Sequence, residues 1–328
     1  MVWAVLCSQL GGPEQLEFVD TTLREVGDGE VRISVFAAGV NFPDLLTIAG
    51  QYQIKSEVPF VPGMEAAGVI VEAGNGVDPC VIGQRVMAWA WNGCFAQEVV
   101  VPYENTLPLP QGFSFSEGAA FMIATSTATN ALLQRGQLLE GETLLVHGAG
   151  GGVGLAAVEV GKTIGATVIA TASSAEKLEL ARRKGADHLI NYSEVDFVQR
   201  VMQITRNKGA DVIFDPVGGD VFDQSVRCVA WGGRLLVIGF ASGRISELAA
   251  NQALLKCFSL VGVRALVHAQ KKPLEGLFYK QWMLSHAEQG RFRPFISEIL
   301  PLEHYGKALR GIQSRSALGR IVLEVRQG

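Results

Sequence analysis

One stretch constrains the fold of this chain more than any other: Leu144-Leu145-Val146-His147-Gly148-Ala149-Gly150-Gly151-Gly152-Val153-Gly154-Leu155. An apolar run of strand length stops at a cluster of glycines and reopens as a helical pattern. Glycines there permit a tight turn and close backbone approach, while the helix start presents unpaired N–H donors and a positive dipole. In strict G-x-G-x-x-G register the frame is Ala149-x-Gly151-x-x-Gly154, with alanine in the first glycine's place. A glycine-rich turn by itself is an ordinary connector. Its surroundings argue for more.

From about residue 118 the chain alternates. Glu117–Leu133 reads as helical, Thr143–His147 as a strand, Val153–Ile164 as a helix and Thr167–Thr171 as a strand. Ala175–Lys184, Val195–Thr205 and Val221–Val229 read as helices, interleaved with strands at Leu189–Asn191, Asp211–Phe214 and Arg234–Gly239. This spacing predicts an α/β fold with a doubly wound parallel sheet covered on both faces. In that setting the loop is expected to hold the pyrophosphate of a dinucleotide. The first third differs in texture: Val31–Val35, Ala66–Val71 and Arg85–Ala90 read as short strands separated by glycine and proline turns. After Val263 the pattern loosens, ending in a Gly319–Val325 strand. For 328 residues, a prior of roughly 150 per domain gives about two domains.

Composition removes several function classes. Lys and Arg number 28 against 32 Asp and Glu, a net charge of −4, which argues against a nucleic-acid footprint. Mean hydropathy is slightly positive, yet apolar runs such as Leu235–Ile238 are far shorter than a spanning helix requires. The N-terminus lacks the pattern of a signal peptide. Five scattered cysteines (Cys7, Cys80, Cys94, Cys228, Cys257) fit a reducing compartment better than a disulfide framework. The expectation is a soluble, cytoplasmic protein with no membrane or nucleic-acid partner. The five histidines stand singly, without metal-ligand spacing, so no metal is expected.

Cofactor choice turns on Ile169-Ala170-Thr171-Ala172-Ser173-Ser174-Ala175-Glu176-Lys177. No acid stands at the strand tip to bind the adenosine ribose 2′-hydroxyl of NAD. Ser173 and Ser174 can donate hydrogen bonds and Lys177 supplies positive charge, which together suit the 2′-phosphate of NADPH. Two alternatives stand beside this: the serines cap the helix and Lys177 is a solvated surface residue. Glu176 opposes the phosphate if it points inward.

Three motifs carry a family resemblance: Gly39-Val40-Asn41-Phe42-Pro43-Asp44 followed by Gly50-Gln51-Tyr52; Val61-Pro62-Gly63-Met64-Glu65-Ala66-Ala67-Gly68-Val69-Ile70; and Gly141–Gly154. With these the chain resembles the zinc-independent quinone oxidoreductases of the medium-chain dehydrogenase/reductase superfamily, the zeta-crystallin branch. The resemblance spans the first strand to the last. Glu159 departs from it, standing where the family usually has Gln.

The resemblance implies a GroES-like β-rich catalytic domain from residues 1–124 and 265–328, an inserted Rossmann domain at 125–264, and an active site in the cleft between them. Zinc-dependent relatives have Cys at the position of Asn41 and a His-Glu pair at Met64-Glu65. Without a Lewis acid on the substrate oxygen, substrates already open to hydride attack become the natural choice: quinones and α,β-unsaturated carbonyls.

Asn41 is the first candidate to face substrate, since its amide can donate without titrating; it could equally be a turn residue. Tyr52 could donate to a carbonyl oxygen. Asp44 either orients Asn41 or caps the following helix. For the cofactor, the resemblance implies Thr127 near the nicotinamide and Gly151, Gly152 and Val153 at the pyrophosphate. It also implies Ser173 and Lys177 at the 2′-phosphate, and Tyr192 near the adenosine phosphate. It further implies Val217, Ile238, Gly239 and Phe240 at strand ends over the cofactor, with Val263 and Arg264 toward the nicotinamide. Plain sheet core is the alternative for Val217 and Ile238, and Arg264 could instead pair with an acid at a subunit interface. The pair Trp89 and Trp91 reads as packing rather than quinone stacking.

Two other functions stay open: an enoyl-thioester (acyl-CoA) reductase, and a low-turnover NADPH-binding or structural protein. The family commonly pairs subunits through the sheet edge, and Phe258–Val263 is the candidate edge, so a homodimer is expected.

Overall fold

The computed structural model describes residues 1–22 and 24–326. The chain divides into two compact units, residues 1–123 with 293–328 and residues 124–292.

The first unit is built on a seven-stranded sheet. Its main path runs Ile296–Pro301, Arg320–Glu324, Glu30–Val40, Glu65–Ala73, Arg85–Trp89 and Thr106–Pro108, and Glu98–Pro102 also pairs with Glu30–Val40. The long strand Glu30–Val40 alternates buried and part-buried residues over its first half and is almost wholly buried thereafter. It organises the sheet: Gly39 lies opposite Glu65 on one side, and Val40 lies opposite Ile321 on the other. A two-stranded ribbon, Val2–Cys7 with Leu16–Thr21, supplies Val5 and Cys7 to a core shared with Val40, Ile48, Phe95, Leu309 and Leu323.

The second unit holds a six-stranded parallel sheet. Its order is His188–Asn191, Thr167–Ala172, Thr143–Val146, Ala210–Asp215, Val229–Val237 and Ser259–Gly262. The helix Gly152–Ile164 follows the glycine loop, and Ala175–Arg183, Phe197–Ile204 and Asp220–Cys228 occupy the expected places. Order reverses on either side of Thr143–Val146, so the glycine loop sits at the switch point where open α/β sheets bind ligands.

Two expectations are corrected. The single helix expected over Glu117–Leu133 is two helices, Phe115–Ala119 and Met122–Thr129, followed by a π-helical turn at Asn130–Arg135. The second begins where the buried carboxylate of Glu65 accepts a hydrogen bond from the Ile123 amide at 2.8 Å, a negative group at a helix N-terminus. The boundary expected at 264/265 falls at 292/293 by packing. Residues 265–292 form the helices Ala265–Lys271 and Pro273–Glu288, tied by the hydrogen bond that the buried Tyr279 hydroxyl donates to Ala265 O at 3.1 Å. Tyr279, Met283 and Ala287 are buried on the longer helix, so it stays with the second unit. The final strand, Arg320–Glu324, joins the first unit's sheet antiparallel to Glu30–Val40.

Candidate active site

In the first unit two of the expected catalytic residues, Asn41 and Asp44, lie in a buried charged knot. The helix Phe42–Ile48 starts at Asn41, with Pro43 in its first turn. Asp44 Oδ2 accepts from the Asn41 backbone N–H at 2.7 Å, the capping half of the two roles left open for Asp44. The Asn41 side chain, 3% exposed, donates from Nδ2 to Gly39 O at 3.2 Å and to Glu65 Oε1 at 3.0 Å. Its Oδ1 accepts from Arg320 at 2.7 Å, and a second Arg320 nitrogen pairs with Glu65 Oε1. Both amide hydrogens of Asn41 are therefore spent inside the knot. The expected donation to a substrate has no hydrogen left to make it, and this corrects the role expected for Asn41.

Sheet register explains the knot. Ile321 opposite Val40 brings Arg320 beside Asn41, and Gly39 opposite Glu65 completes the set. Gly39 is required there, because a Cβ would stand 2.6 Å from Glu65 Oε1 and collide with the Ala119 carbonyl oxygen. Glu65 is fully buried and Arg320 is 6% exposed. Neither was expected as a site residue. The available signal was a charge opening an otherwise apolar strand, in Glu65-Ala66-Ala67-Gly68-Val69-Ile70 and again in Arg320-Ile321-Val322-Leu323.

One guanidinium thus faces two buried carboxyl groups. Burial pushes the Asp44 carboxyl up to about 7, although the Asn41 amide, Arg320 and the Met64 amide draw it back. Asp44 Oδ1 makes no hydrogen bond of normal geometry. Burial also lowers Arg320 to about 10, with Asp44 opposing. Tyr52 follows the helix Phe42–Ile48; it is half-buried, and its amide donates to Leu46 O at 3.0 Å. Trp89 is 3% exposed and meets Trp91 edge-on at 5.2 Å, a packing contact.

In the second unit the glycine loop has the form that its sequence predicts. Ala149 N–H donates to Thr171 O, Gly151 N–H to Gly148 O, and Gly151 precedes the helix start without a side-chain cap. The helix's first amides, at Gly152, Val153 and Gly154, are the ones no helical carbonyl can reach. Gly154 is required for a close approach: a Cβ there would stand 2.8 Å from Ala149 Cα and press on the Gly148 carbonyl. At Gly150 a Cβ would stand 2.5 Å from both Cβ and Cγ of Lys177. The lysine stem therefore lies directly on the loop.

Ser174 caps the helix Ala175–Arg183 by accepting from Lys177 N–H, so the capping alternative holds for Ser174. Ser173 is exposed at the strand tip, where its carbonyl accepts from Ser193 Oγ at 3.3 Å. Tyr192, 42% exposed, stands on the neighbouring tip, its amide donating to Ala172 O. Asp215 Oδ1 accepts from Val217 N–H at 2.8 Å and Gly218 N–H at 3.0 Å, shaping the next loop. That loop is joined to the one carrying Ile238, Gly239 and Phe240, since Ala241 N–H donates to Pro216 O and Ser242 N–H to Val217 O. Val263 is buried just past the terminal strand, and Arg264 is exposed beside it. Thr127 is half-buried on the helix Met122–Thr129. The carboxyl ends of adjacent strands thus gather most of the expected cofactor residues.

A residue beneath the loop was missed. His147 is buried, with Nδ1 2.9 Å from Thr171 Oγ1 and Nε2 2.8 Å from Ser225 Oγ. Ser225 donates its own proton to Val221 O, so it accepts from His147 Nε2–H, and Nδ1 accepts from Thr171. Burial lowers this imidazole to about 3, which keeps it neutral, and its two hydrogen bonds fix the tautomer. Glu159, the departure from the family pattern, pairs with Lys184 at 2.7 Å and so ties the helix Gly152–Ile164 to the end of the helix Ala175–Arg183.

Two family models match the chain, one described as an alcohol dehydrogenase GroES-like domain at residues 27–111 and one as a zinc-binding dehydrogenase at residues 152–275. A GroES-like unit with a Rossmann parallel sheet defines the medium-chain dehydrogenase/reductase fold. Within that superfamily the chain belongs to the quinone oxidoreductase-like family of oxidoreductases. It is 35% identical over 326 residues to the quinone oxidoreductase-like protein 2 homolog of Nematostella vectensis, covering 99% of this chain and 89% of the relative. A 2-haloacrylate reductase of Burkholderia sp is 32% identical, with 98% of this chain and 99% of that one covered. The quinone oxidoreductase of Escherichia coli, solved in complex with NADPH, superposes with a TM-score of 0.91 at 27% identity, covering 98% and 100% of the two chains.

One of those models is described as zinc-binding, and the residues of the knot do not fit zinc. Both Glu65 oxygens are engaged, by Asn41 and Arg320 on one side and the Ile123 amide on the other. Burial, then the Asp44 carboxylate, push the nearby Cys94 thiol far up, away from the thiolate that zinc binds. A guanidinium already supplies the local positive charge. Among the described residues, no three His, Cys, Asp or Glu side chains come together as a metal site.

Proposed function

We propose that this protein is an NADPH-dependent reductase that delivers hydride to quinones or other activated alkenes without zinc. The observation that carries the reading is the switch-point glycine loop with the Lys177 stem lying on Gly150. The loop and the first amides of helix Gly152–Ile164 would hold the pyrophosphate, and the strand-tip Ser173 with Lys177 would take the 2′-phosphate. The absence of an acid at that tip favours NADPH over NADH. The NADPH complex of the Escherichia coli relative supports the same choice. When bound, the nicotinamide supplies the hydride.

The chain's own residues do the positioning. The capping bond from Asp44 and the clamp of Glu65 and Arg320 fix the backbone from Gly39 through Asn41, so this segment acts as a rigid wall rather than a proton donor. A knot charged by Arg320 instead of a metal offers no Lewis acid, which favours substrates whose double bond is already polarised. The 2-haloacrylate reductase among the relatives acts, by its name, on an alkene of that kind.

A homodimer in the cytoplasm belongs to this reading. Ser259–Gly262 is the terminal strand of its sheet, with Leu260 46% exposed, and a sheet edge of this kind is best covered by a partner. All five cysteines are free, as a reducing compartment allows, and no helix among the described residues is long and apolar enough to cross a membrane.

The test is nicotinamide oxidation by metal-stripped protein, with NADPH and NADH run in parallel against a quinone, a short enone and an enoyl-CoA. The expected result is turnover with NADPH and the quinone or enone. Turnover confined to enoyl-CoA would move the substrate assignment to thioesters. Tight NADPH binding with no turnover on any acceptor would replace the enzyme with a binding protein.

A further inference from the structure

The helix Pro273–Glu288 is apolar on two opposite faces. Gly276, Tyr279, Met283 and Ala287 are buried and hold it to the second unit. On the other side Leu274 is 84% exposed, Leu277 53% and Phe278 57%. These three stand at i, i+3 and i+4, so they form one contiguous patch on the first two turns. Farther along the same side Gln281, Ser285 and Glu288 are exposed, and the patch ends there. Large apolar side chains scattered singly on a surface need no explanation, but three in register on one helix face mark a contact site.

The charge around the patch says what kind of surface it meets. Lys271 and Lys272 are both exposed and directly precede the helix, on a chain whose net charge is −4. The acid in the first turn, Glu275, is engaged by His268 Nε2 at 2.8 Å. A pair of free-standing lysines beside an apolar helix tip is the arrangement of a helix that lies on an anionic bilayer, acyl chains against its leucines and phosphates against its lysines.

We propose that the first two turns of helix Pro273–Glu288 are a peripheral docking site for an anionic membrane surface. Leu274, Leu277 and Phe278 enter the boundary between headgroups and acyl chains, and Lys271 and Lys272 face the lipid phosphates. A surface-lying tip of two turns carries none of the long apolar run that marks a spanning segment, so the expectation of no membrane partner does not reach it. The site is independent of the proposed reduction, since it uses none of the residues assigned to cofactor or substrate.

Flotation of the full-length protein with vesicles tests it, using phosphatidylcholine alone and phosphatidylcholine with about a third phosphatidylglycerol. The expected result is association with the anionic vesicles, weakened about tenfold or more on the neutral ones and by high salt. L277N/F278N should lose about tenfold or more of that association while unfolding at the wild-type temperature, since both side chains are exposed. K271E/K272E should bring anionic vesicles down to the level of neutral ones. The proposal is overturned by a wild-type protein that ignores anionic vesicles at low salt, or by L277N/F278N binding as well as wild type. It is equally overturned if the wild type leaves vesicles unbound and L277N/F278N changes the mass of the protein in solution, because a second copy then covers this face.

Discussion

The knot of the first unit and the glycine loop of the second are both built from short polar or glycine segments beside apolar strands, yet they are made in opposite ways. The loop's parts lie within a dozen residues, and its geometry follows from where glycines stand between one strand and one helix. The knot draws Asn41, Glu65 and Arg320 from three segments, the last 279 residues from the first. Local geometry makes the loop; register across a sheet makes the knot. The loop is open to a ligand because its donors are unsatisfied by design of the helix end, whereas the knot closes on itself and satisfies most of its own polar atoms. One region is therefore poised for binding and the other for rigidity.

The largest effect should come from breaking the knot. Arg320→Met leaves Glu65 buried without its cation, and loss of one partner from a buried pair costs about 3–5 kcal/mol. Urea unfolding should show that loss, while Arg320→Lys should recover part of it. A cost under about 1 kcal/mol would mean that the knot is not a stability element.

Next in size is the loop. Gly154→Ala puts a methyl group against the Gly148 carbonyl, so NADPH affinity should fall about tenfold or more, that is about 1.4 kcal/mol or more, by fluorescence titration. The comparison sharpens if this variant damages binding more than folding, the reverse of Arg320→Met.

Asp44 gives a pH signature. Its folded carboxyl titrates near 7, above its ordinary 3.8, so the folded state holds a proton that the unfolded chain releases. The stabilising contribution is complete below about pH 4, falls as pH rises, and is gone above about 7, with a slope of up to about 1.4 kcal/mol per pH unit. Asp44→Asn should flatten stability across that window, and an unchanged slope would place the titration elsewhere. The smallest effect is the most selective: Lys177→Ala should weaken NADPH by about tenfold, as loss of one charge-assisted contact of about 1.5 kcal/mol implies, and leave NADH unchanged. Equal losses for both cofactors would remove Lys177 from the 2′-phosphate site.

Much of the second unit was legible in the chain because its signals are local. Apolar runs, helix starts and glycine stops repeat at short spacing, and nearly all expected strands and helices there lie within a few residues of those observed. The misreadings share a cause. Glu117–Leu133 looked like one helix because composition cannot show a carboxylate arriving from Glu65 to start a second one at Met122. The 264/265 boundary failed because Tyr279, Met283 and Ala287 look alike whichever unit they pack against.

What the sequence by itself determined is the parallel sheet, the cradle at Gly148–Gly154 and the lack of an acid at Ser173, since each depends on residues close along the chain. What only the tertiary structure decided is that Asn41 faces inward, that Glu65 and Arg320 hold it there, and that Leu274, Leu277 and Phe278 face outward. Those outcomes depend on which strand lies beside which and which helix face is covered, and residue identity alone carries neither.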